Sequence, residues 1–241
     1  MEEFAAVGDI QLCYEVLGEE EDPTVLLVMG LGLSMDWWRD GFCRGLVDRG
    51  FRVARFDNRD VGPSTHLRGR GIGPWGFLTR RATPVYTLGD MADDAAGLLA
   101  YIAPDGAHVV GASLGAMVAQ EIAIRHPGRP GDGRTPEDDE DVRVTALRAS
   151  ARETGDGGSR QLAACVGERD RTADLGRLTC PTLVIHGDRD RVIRPDGGRA
   201  TAAAIPGSEL LEVPGMGHDL ARSSWPVVLD GIERIATRTR A

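Results

Sequence analysis

The stretch VVGASLGAMVAQEIA, Val109 to Ala123, decides the fold. It opens on apolar residues suited to a buried strand and closes on the spacing of a helix. Ser113 stands at the handover, flanked by Gly111 and Gly115. A lone G-x-S-x-G is a weak signal. With a strand before it and a helix after it, the pattern reads as a nucleophile elbow, a sharp turn that strains the serine and lifts its hydroxyl clear of the sheet. Strand and helix then pass so closely that side chains at the flanking positions would clash, which accounts for both glycines. The helix N-terminus adds its positive dipole end and free N–H groups beside the serine oxygen.

Outward from that turn the chain alternates strands and helices. Thr24 to Met29 is a continuous apolar run, as expected for a strand buried on both faces. Arg52 to Asp57, His108 to Ala112, the segment PTLVIHG and Glu209 to Val213 read as further strands. Ile10 to Gly18 alternates like a strand after a hairpin turn that follows Phe4 to Val7. Trp38, Phe42 and Leu46 recur at helical spacing, and Met91, Ala95, Leu98, Leu99 and Ile102 mark one helix face with Thr87 and Asp90 placed to cap it. Leu114 to about His126 is a helix, and Trp225, Val228, Leu229, Ile232 and Ile235 form a closing amphipathic one. This alternation predicts an α/β fold with a mostly parallel sheet.

Composition narrows the function. The chain has 241 residues, 41% hydrophobic and 27% charged, enough for one large core in a single domain. A net charge of -9 disfavours a general nucleic-acid binder, which needs basic patches for phosphate. All 28 basic residues are Arg. The opening MEEFAAVGDI has neither a basic stretch nor a long apolar one, so no signal peptide is expected, and no apolar run is long enough to span a membrane. Cys13, Cys43, Cys165 and Cys180 show no metal-ligand spacing and fit reduced thiols of a cytoplasmic protein. No metal or cofactor is expected, and a homodimer is left open.

A serine hydroxyl needs a general base, and the base needs an orienting carboxylate. Candidates follow in the order serine, acid, histidine, each beyond a strand. HGDRDRV offers Asp188 and Asp190, and PGMGHD offers His218, which alone of five histidines lies in a late Gly-bracketed loop. His186 ends a strand and is read as shaping the acid turn.

With these pieces in place the chain resembles the α/β-hydrolase family. HGDRDRV is similar to the family's acid turn, which implies Asp190 as the triad acid with Asp188 the runner-up. VPGMGHDL is similar to the loop carrying the catalytic histidine, which implies His218. DNRDVGPS matches the D-x-R-x-x-G-x-S turn, where Asp57, Arg59 and Gly62 serve as scaffold. The loop MGLGLS follows the strand TVLLVM and in the family this loop supplies one oxyanion-hole N–H, with Met29 standing where His is common. By that resemblance Leu31 donates one N–H and Leu114 the other. MGLG followed by Trp37 and Trp38 looks most like the branch of aclacinomycin methylesterase-like esterases and cofactor-free haloperoxidase-like enzymes.

The middle of the chain departs from the family. Gly128 to Asp141 is dense in Gly, Pro and acidic residues and reads as a solvated loop, its carboxylate run included. Ala151 to Arg160 is a second weak stretch. The interval from Ser113 to Asp190 is too short for a full cap over the site, so residues 128–178 are expected to hold a remnant cap within the single domain 1–241. Val142 to Ala149 is either the sixth strand, with a nearly absent cap, or a cap-helix remnant, with one strand missing. Loss of that strand would shift Asp190 by about 4.8 Å, so the strand reading is the one that keeps the triad together.

The expected function is that of a serine hydrolase cleaving a small-molecule carboxylic ester through Ser113, His218 and Asp190. Leu31, Trp37, Trp38 and Met216 are expected to wall the cleft. Perhydrolase, amidase or lactonase chemistry would use the same triad, and a non-catalytic binding protein on the same fold is the reading from another class.

Overall fold

The computed structural model describes residues 1–79, 83–127, 142–147 and 156–240, with backbone alone for 142–147. The strands are β1 (Glu3–Val7), β2 (Ile10–Leu17), β3 (Thr24–Val28), β4 (Arg52–Phe56), β5 (Ala107–Ala112), β6 (Val142–Leu147), β7 (Leu183–Gly187) and β8 (Glu209–Val213). They form one sheet in the order β1-β2-β4-β3-β5-β6-β7-β8. β1 and β2 pair antiparallel, as do β2 and β4, and every later pairing is parallel. The helices are α1 (Asp40–Val47), α2 (Pro74–Thr79), α3 (Leu88–Ile102), α4 (Leu114–Arg125), α5 (Asp156–Val166), α6 (Thr172–Leu175), α7 (Pro195–Ala204) and α8 (Trp225–Ala236).

The strand period of two sorts side chains between two cores. In β3, Leu26 and Val28 join α3 and α4 on one face of the sheet. Val25 and Leu27 join α1 and α8 on the other. A strand buried on both faces has to be apolar throughout, which is why TVLLV carries no alternation. At the start of α3, the Thr87 hydroxyl accepts from the Asp90 N–H at 3.1 Å and the Asp90 carboxylate accepts from the Thr87 N–H at 2.7 Å, the capping box expected from those two residues.

Of the two readings of Val142 to Ala149, the structure adopts the strand. β6 pairs with β5 from Ala107↔Val142 to Ala112↔Leu147 and continues to β7 at Thr145↔Leu183 and Ala146↔Val184. The expected loop Gly128 to Asp141 lies outside the described residues. The second weak stretch is corrected at its end, since residues 156–160 open α5. Its glycines permit close packing: a Cβ on Gly157 would run into the Asp60 carbonyl, and one on Gly71 would meet Ser159. Ile72 N–H also donates to the Ser159 carbonyl at 3.1 Å. Glycine there marks contact between backbones rather than a flexible segment.

Candidate active site

Ser113 sits between β5 and α4 with φ 54° and ψ -117°, a left-handed backbone that a non-glycine residue adopts only under strain. The flanking glycines behave as the spacing requires. A Cβ on Gly111 would stand 2.6 Å from the Ala116 Cα, and one on Gly115 would stand 2.7 Å from the Val28 carbonyl carbon. The elbow is thus held on one side by its own helix and on the other by β3.

Two other strand ends bring partners to the serine. Ser113 Oγ lies 3.2 Å from His218 Nε2, and His218 Nδ1 lies 2.8 Å from Asp190 Oδ2. His218 is 8% and Asp190 4% exposed, so the pair is largely screened from water while Ser113 is half-buried. Asp190 Oδ1 accepts from the N–H groups of Val192 and Ile193, each at 2.9 Å. Burial alone would raise the Asp190 carboxyl; the hydrogen bond from His218 and those from Ile193 and Val192 outweigh it and hold the group below the usual aspartate range.

The neighbouring groups on these loops have separate duties. Asp188, the other acid of the turn, accepts from the Gly215 N–H at 2.7 Å and ties the acid turn to the histidine loop. Arg189 N–H donates to the Met216 carbonyl at 3.0 Å across the same gap. His186 lies within hydrogen-bond distance of the Ile193 carbonyl, Nε2 to O 3.0 Å, and so closes the acid turn from below.

The loop after β3 passes on the other side of the serine. A Cβ on Gly30 would stand 3.2 Å from Ser113 Cβ and 3.9 Å from its Oγ. Leu33 N–H donates to the Gly30 carbonyl at 3.3 Å, and Gly32 has φ 67°. Gly32 N–H donates to Gln161 Oε1 at 2.7 Å, and Gln161 Nε2 donates to the Arg59 carbonyl at 2.9 Å. Gln161 is fully buried and comes from α5. Nothing in the local pattern singles it out, because a glutamine in a polar helix reads as surface.

The turn after β4 is scaffold. Asp57 accepts from the Met35 N–H at 2.6 Å, and Ser64 Oγ donates to the Asp57 carbonyl at 2.6 Å. Arg59 pairs with Asp94 through two hydrogen bonds, 2.5 and 2.7 Å, and covers the Tyr86 ring. Asp60, at φ 69°, receives both Arg160 Nε at 2.8 Å and Nη2 at 2.7 Å. Arg160 and Gln161, adjacent in α5, therefore grip the β4 and β3 loops respectively.

Two of the expected cleft residues are corrected. Trp38 is 1% exposed; its ring stacks on Phe42 at 5.5 Å, and Phe42 in turn meets Trp225 edge-on at 5.9 Å, closing the space between α1 and α8. Met216 is 4% exposed and packs into the same core. A side chain spent on joining two helices to the sheet is not offered to a substrate. Leu31 and Trp37 remain half-buried, with the Arg39 guanidinium 5.1 Å from the Trp37 ring centre. Among the described residues no group of three or more His, Cys, Asp and Glu side chains is placed to hold a metal ion. No helix among them is long and apolar enough to cross a membrane.

The mostly parallel sheet, with Ser113 after β5, Asp190 after β7 and His218 after β8, has counterparts among known proteins. The family model of the alpha/beta hydrolase fold matches residues 23–129, from just before β3 to just past α4. The chain has the α/β-hydrolase fold. Rhodomycin D methylesterase of Streptomyces peucetius is 26% identical to it over 280 aligned positions, covering 88% of this chain and 90% of that enzyme. A non-heme chloroperoxidase of Kitasatospora aureofaciens is 43% identical over 70 residues, 29% of this chain and 25% of its own length. The crystal structure of the enol-lactonase from Burkholderia xenovorans LB400 superposes with a TM-score of 0.76 at 20% identity, covering 98% of this chain and all of that one. At that identity the superposition speaks for the α/β-hydrolase fold alone.

Proposed function

We propose that this α/β-hydrolase is a serine hydrolase cleaving a small carboxylic ester, with Ser113 as nucleophile, His218 as base and Asp190 as its orienting carboxylate. The observation that carries the reading is the unbroken line from Ser113 Oγ through His218 Nε2 and Nδ1 to Asp190 Oδ2, 3.2 Å and 2.8 Å. In the first step Ser113 Oγ bonds to the ester carbonyl carbon while its proton passes to His218 Nε2. The tetrahedral adduct then collapses, the alcohol leaves with the proton from His218, and an acyl-serine remains. Water, deprotonated by His218, attacks that acyl carbon and releases the acid and the free serine. Asp190 stabilises the imidazolium at each stage.

The adduct's oxyanion is assigned to the N–H groups of Leu31 and Leu114. Neither donates to a described backbone acceptor, Leu114 opens α4, and Leu31 follows the glycine packed on Ser113. Leu31 and Trp37 are proposed to contact the substrate. The methyl-ester specificity in the name of the Streptomyces peucetius relative makes a methyl ester the first substrate class to try. α5 and α6, between β6 and β7, are taken as standing in for a cap, which favours small and medium acyl groups. Cys13, Cys43 and Cys165 are free thiols, in keeping with a reducing compartment such as the cytoplasm. All three reacting side chains come from one chain, so the chemistry needs no second copy.

The test is intact mass after incubation with a fluorophosphonate, together with turnover of p-nitrophenyl and methyl esters. One adduct and measurable turnover on the parent, with neither on Ser113→Ala nor His218→Ala, is the expected result. A folded parent that takes no adduct and turns over no ester would remove the reading in favour of a non-catalytic binding protein.

A further inference from the structure

We infer that Gln161 is a positioning residue for the oxyanion side of the site, holding the Gly30–Leu33 turn in its working orientation from a helix on the far side of the sequence. The inference rests on the hydrolase reading above and deepens it.

The turn has two alternatives open to it. Its hydrogen bond from Leu33 N–H to the Gly30 carbonyl and the positive φ of Gly32, 67°, make it a type II turn. Type I differs by turning the central peptide over, here the Leu31–Gly32 unit. Glycine is the residue that visits both forms at little cost, so the sequence MGLGLS does not by itself choose between them. What chooses is the partner of the Gly32 N–H. It donates to Gln161 Oε1 at 2.7 Å, and a peptide turned over would aim its carbonyl at that oxygen and its N–H away, leaving the buried Gln161 acceptor without a donor.

The Gln161 amide is itself locked. Its Nε2 donates to the Arg59 carbonyl at 2.9 Å, so a reversed amide would set N–H against N–H and oxygen against oxygen. The Arg59 carbonyl is fixed in turn, because the Arg59 side chain is clamped to Asp94. Next to Gln161, Arg160 is paired with Asp60 and anchors the first turns of α5. The fixed point thus runs from the β4 turn through one buried amide to the peptide following Leu31. The catalytic effect is indirect: Gln161 touches no reacting atom, and it sets the plane next to the Leu31 N–H, which does.

The experiment compares Gln161→Leu and Gln161→Glu with the parent, with active sites counted by fluorophosphonate titration so that loss of folded protein cancels. Gln161→Leu removes both bonds and is expected to lower kcat about 10- to 100-fold, somewhat less than deleting an oxyanion donor outright, with KM within about twofold of the parent. Inhibition by a boronic acid, which forms the tetrahedral adduct, is expected to weaken by the same factor, while inhibition by the product acid stays unchanged. A residue that merely supports folding would move neither ratio. Gln161→Glu keeps an acceptor for Gly32 and is expected to retain more of kcat than the leucine variant. If Gln161→Leu does not fold, a Gln161→Glu enzyme with parental kcat and boronate affinity supports the acceptor role, and one as impaired as an oxyanion-donor deletion overturns it. Parental kcat per titrated site in Gln161→Leu overturns the inference while leaving the hydrolase reading intact. A parent that neither labels nor turns over ester removes both.

Discussion

The serine elbow and the Gly30–Leu33 turn, proposed above as the oxyanion turn, are neighbours built alike and secured differently. Both are glycine turns at the carboxyl ends of adjacent parallel strands, β5 and β3, and each presses on the other: Gly115 against the Val28 carbonyl, Gly30 against Ser113. The elbow is fixed by exclusion. Its glycines leave no room for any path but one, and the atoms that do the excluding sit a few residues away or on the next strand. The oxyanion turn is fixed by attachment, through a hydrogen bond that reaches 129 residues along the chain to Gln161. A turn set by sterics carries its own specification, whereas a turn set by a remote polar group is only as good as the segment that delivers the group.

Four changes bear on that contrast, the first two on the locally fixed side. Asp190→Asn has the largest effect. Oδ1 accepts two backbone N–H groups, so the new amide must keep its oxygen there and turn its NH2 toward His218. The histidine then carries its proton on Nε2 and has no lone pair for Ser113. A fall in kcat of about 10⁴-fold is expected, with folding retained, as read by steady-state kinetics beside circular dichroism. Gly115→Ala tests the elbow. The added methyl meets backbone on β3 that has no freedom to move, and a loss of about 3 kcal/mol or more in chemical denaturation is expected. A near-neutral result would mean that the elbow is not sterically determined.

The remaining two act on the attached side. Burial pushes the Asp57 carboxyl up to about 6, with the Asp36 and Glu2 carboxylates adding to it against the Met35 N–H. The folded protein therefore holds a proton on Asp57 that the unfolded chain, with its ordinary value of 3.8, has already lost. Stability contributed by this group is full below about pH 4, falls as pH rises to about 6 and is level above that. Asp57→Asn keeps an acceptor for Met35 while removing the charge. It is expected to flatten that slope and to gain up to about 3 kcal/mol at neutral pH, measured by urea denaturation across pH 4–8. An unchanged slope would show that Asp57 is not its source. Gly32→Ala is the smallest change. The left-handed φ costs a non-glycine residue about 1 kcal/mol, far less disruptive than a methyl at Gly115, and thermal melting of the two variants side by side gives the comparison directly.

The same distinction explains what the sequence reveals. β3 and β5 are read to within one residue because a short, mostly apolar run between turn signals fits little besides a strand, and β8 is read to the residue because ELLEV is bracketed by Pro206-Gly207-Ser208 and Pro214-Gly215. Ser113, Asp190 and His218 are legible because each follows a strand and sits among glycines and turn formers that only a tight loop needs. Trp38 and Met216 are misread as cleft walls for want of direction: adjacency to a site residue in sequence does not say whether a side chain points outward or into the core. α7 goes unassigned because its two glycines and short alanines give almost no apolar face, although the Pro at its start is a helix signal. Gln161 is invisible because its partners are the backbone of Gly32 and Arg59, and backbone groups leave no mark on sequence.

The β6 seam has a consequence for how the molecule comes apart. Among the described residues β6 matches β5 along its whole length and meets β7 at Thr145↔Leu183 and Ala146↔Val184. Ser113 belongs to the β5 side of that seam, while Asp190 and His218 follow β7 and β8 on the other. Among the described residues the backbone ladder is thinnest between Ser113 and His218, so that is where a partial opening of the sheet is expected to divide the molecule. Amide hydrogens of β7 and β8 would then exchange as one cooperative unit, ahead of those in β3 and β5. Catalytic competence thus measures the closure of a single junction and fails while most of the fold still stands.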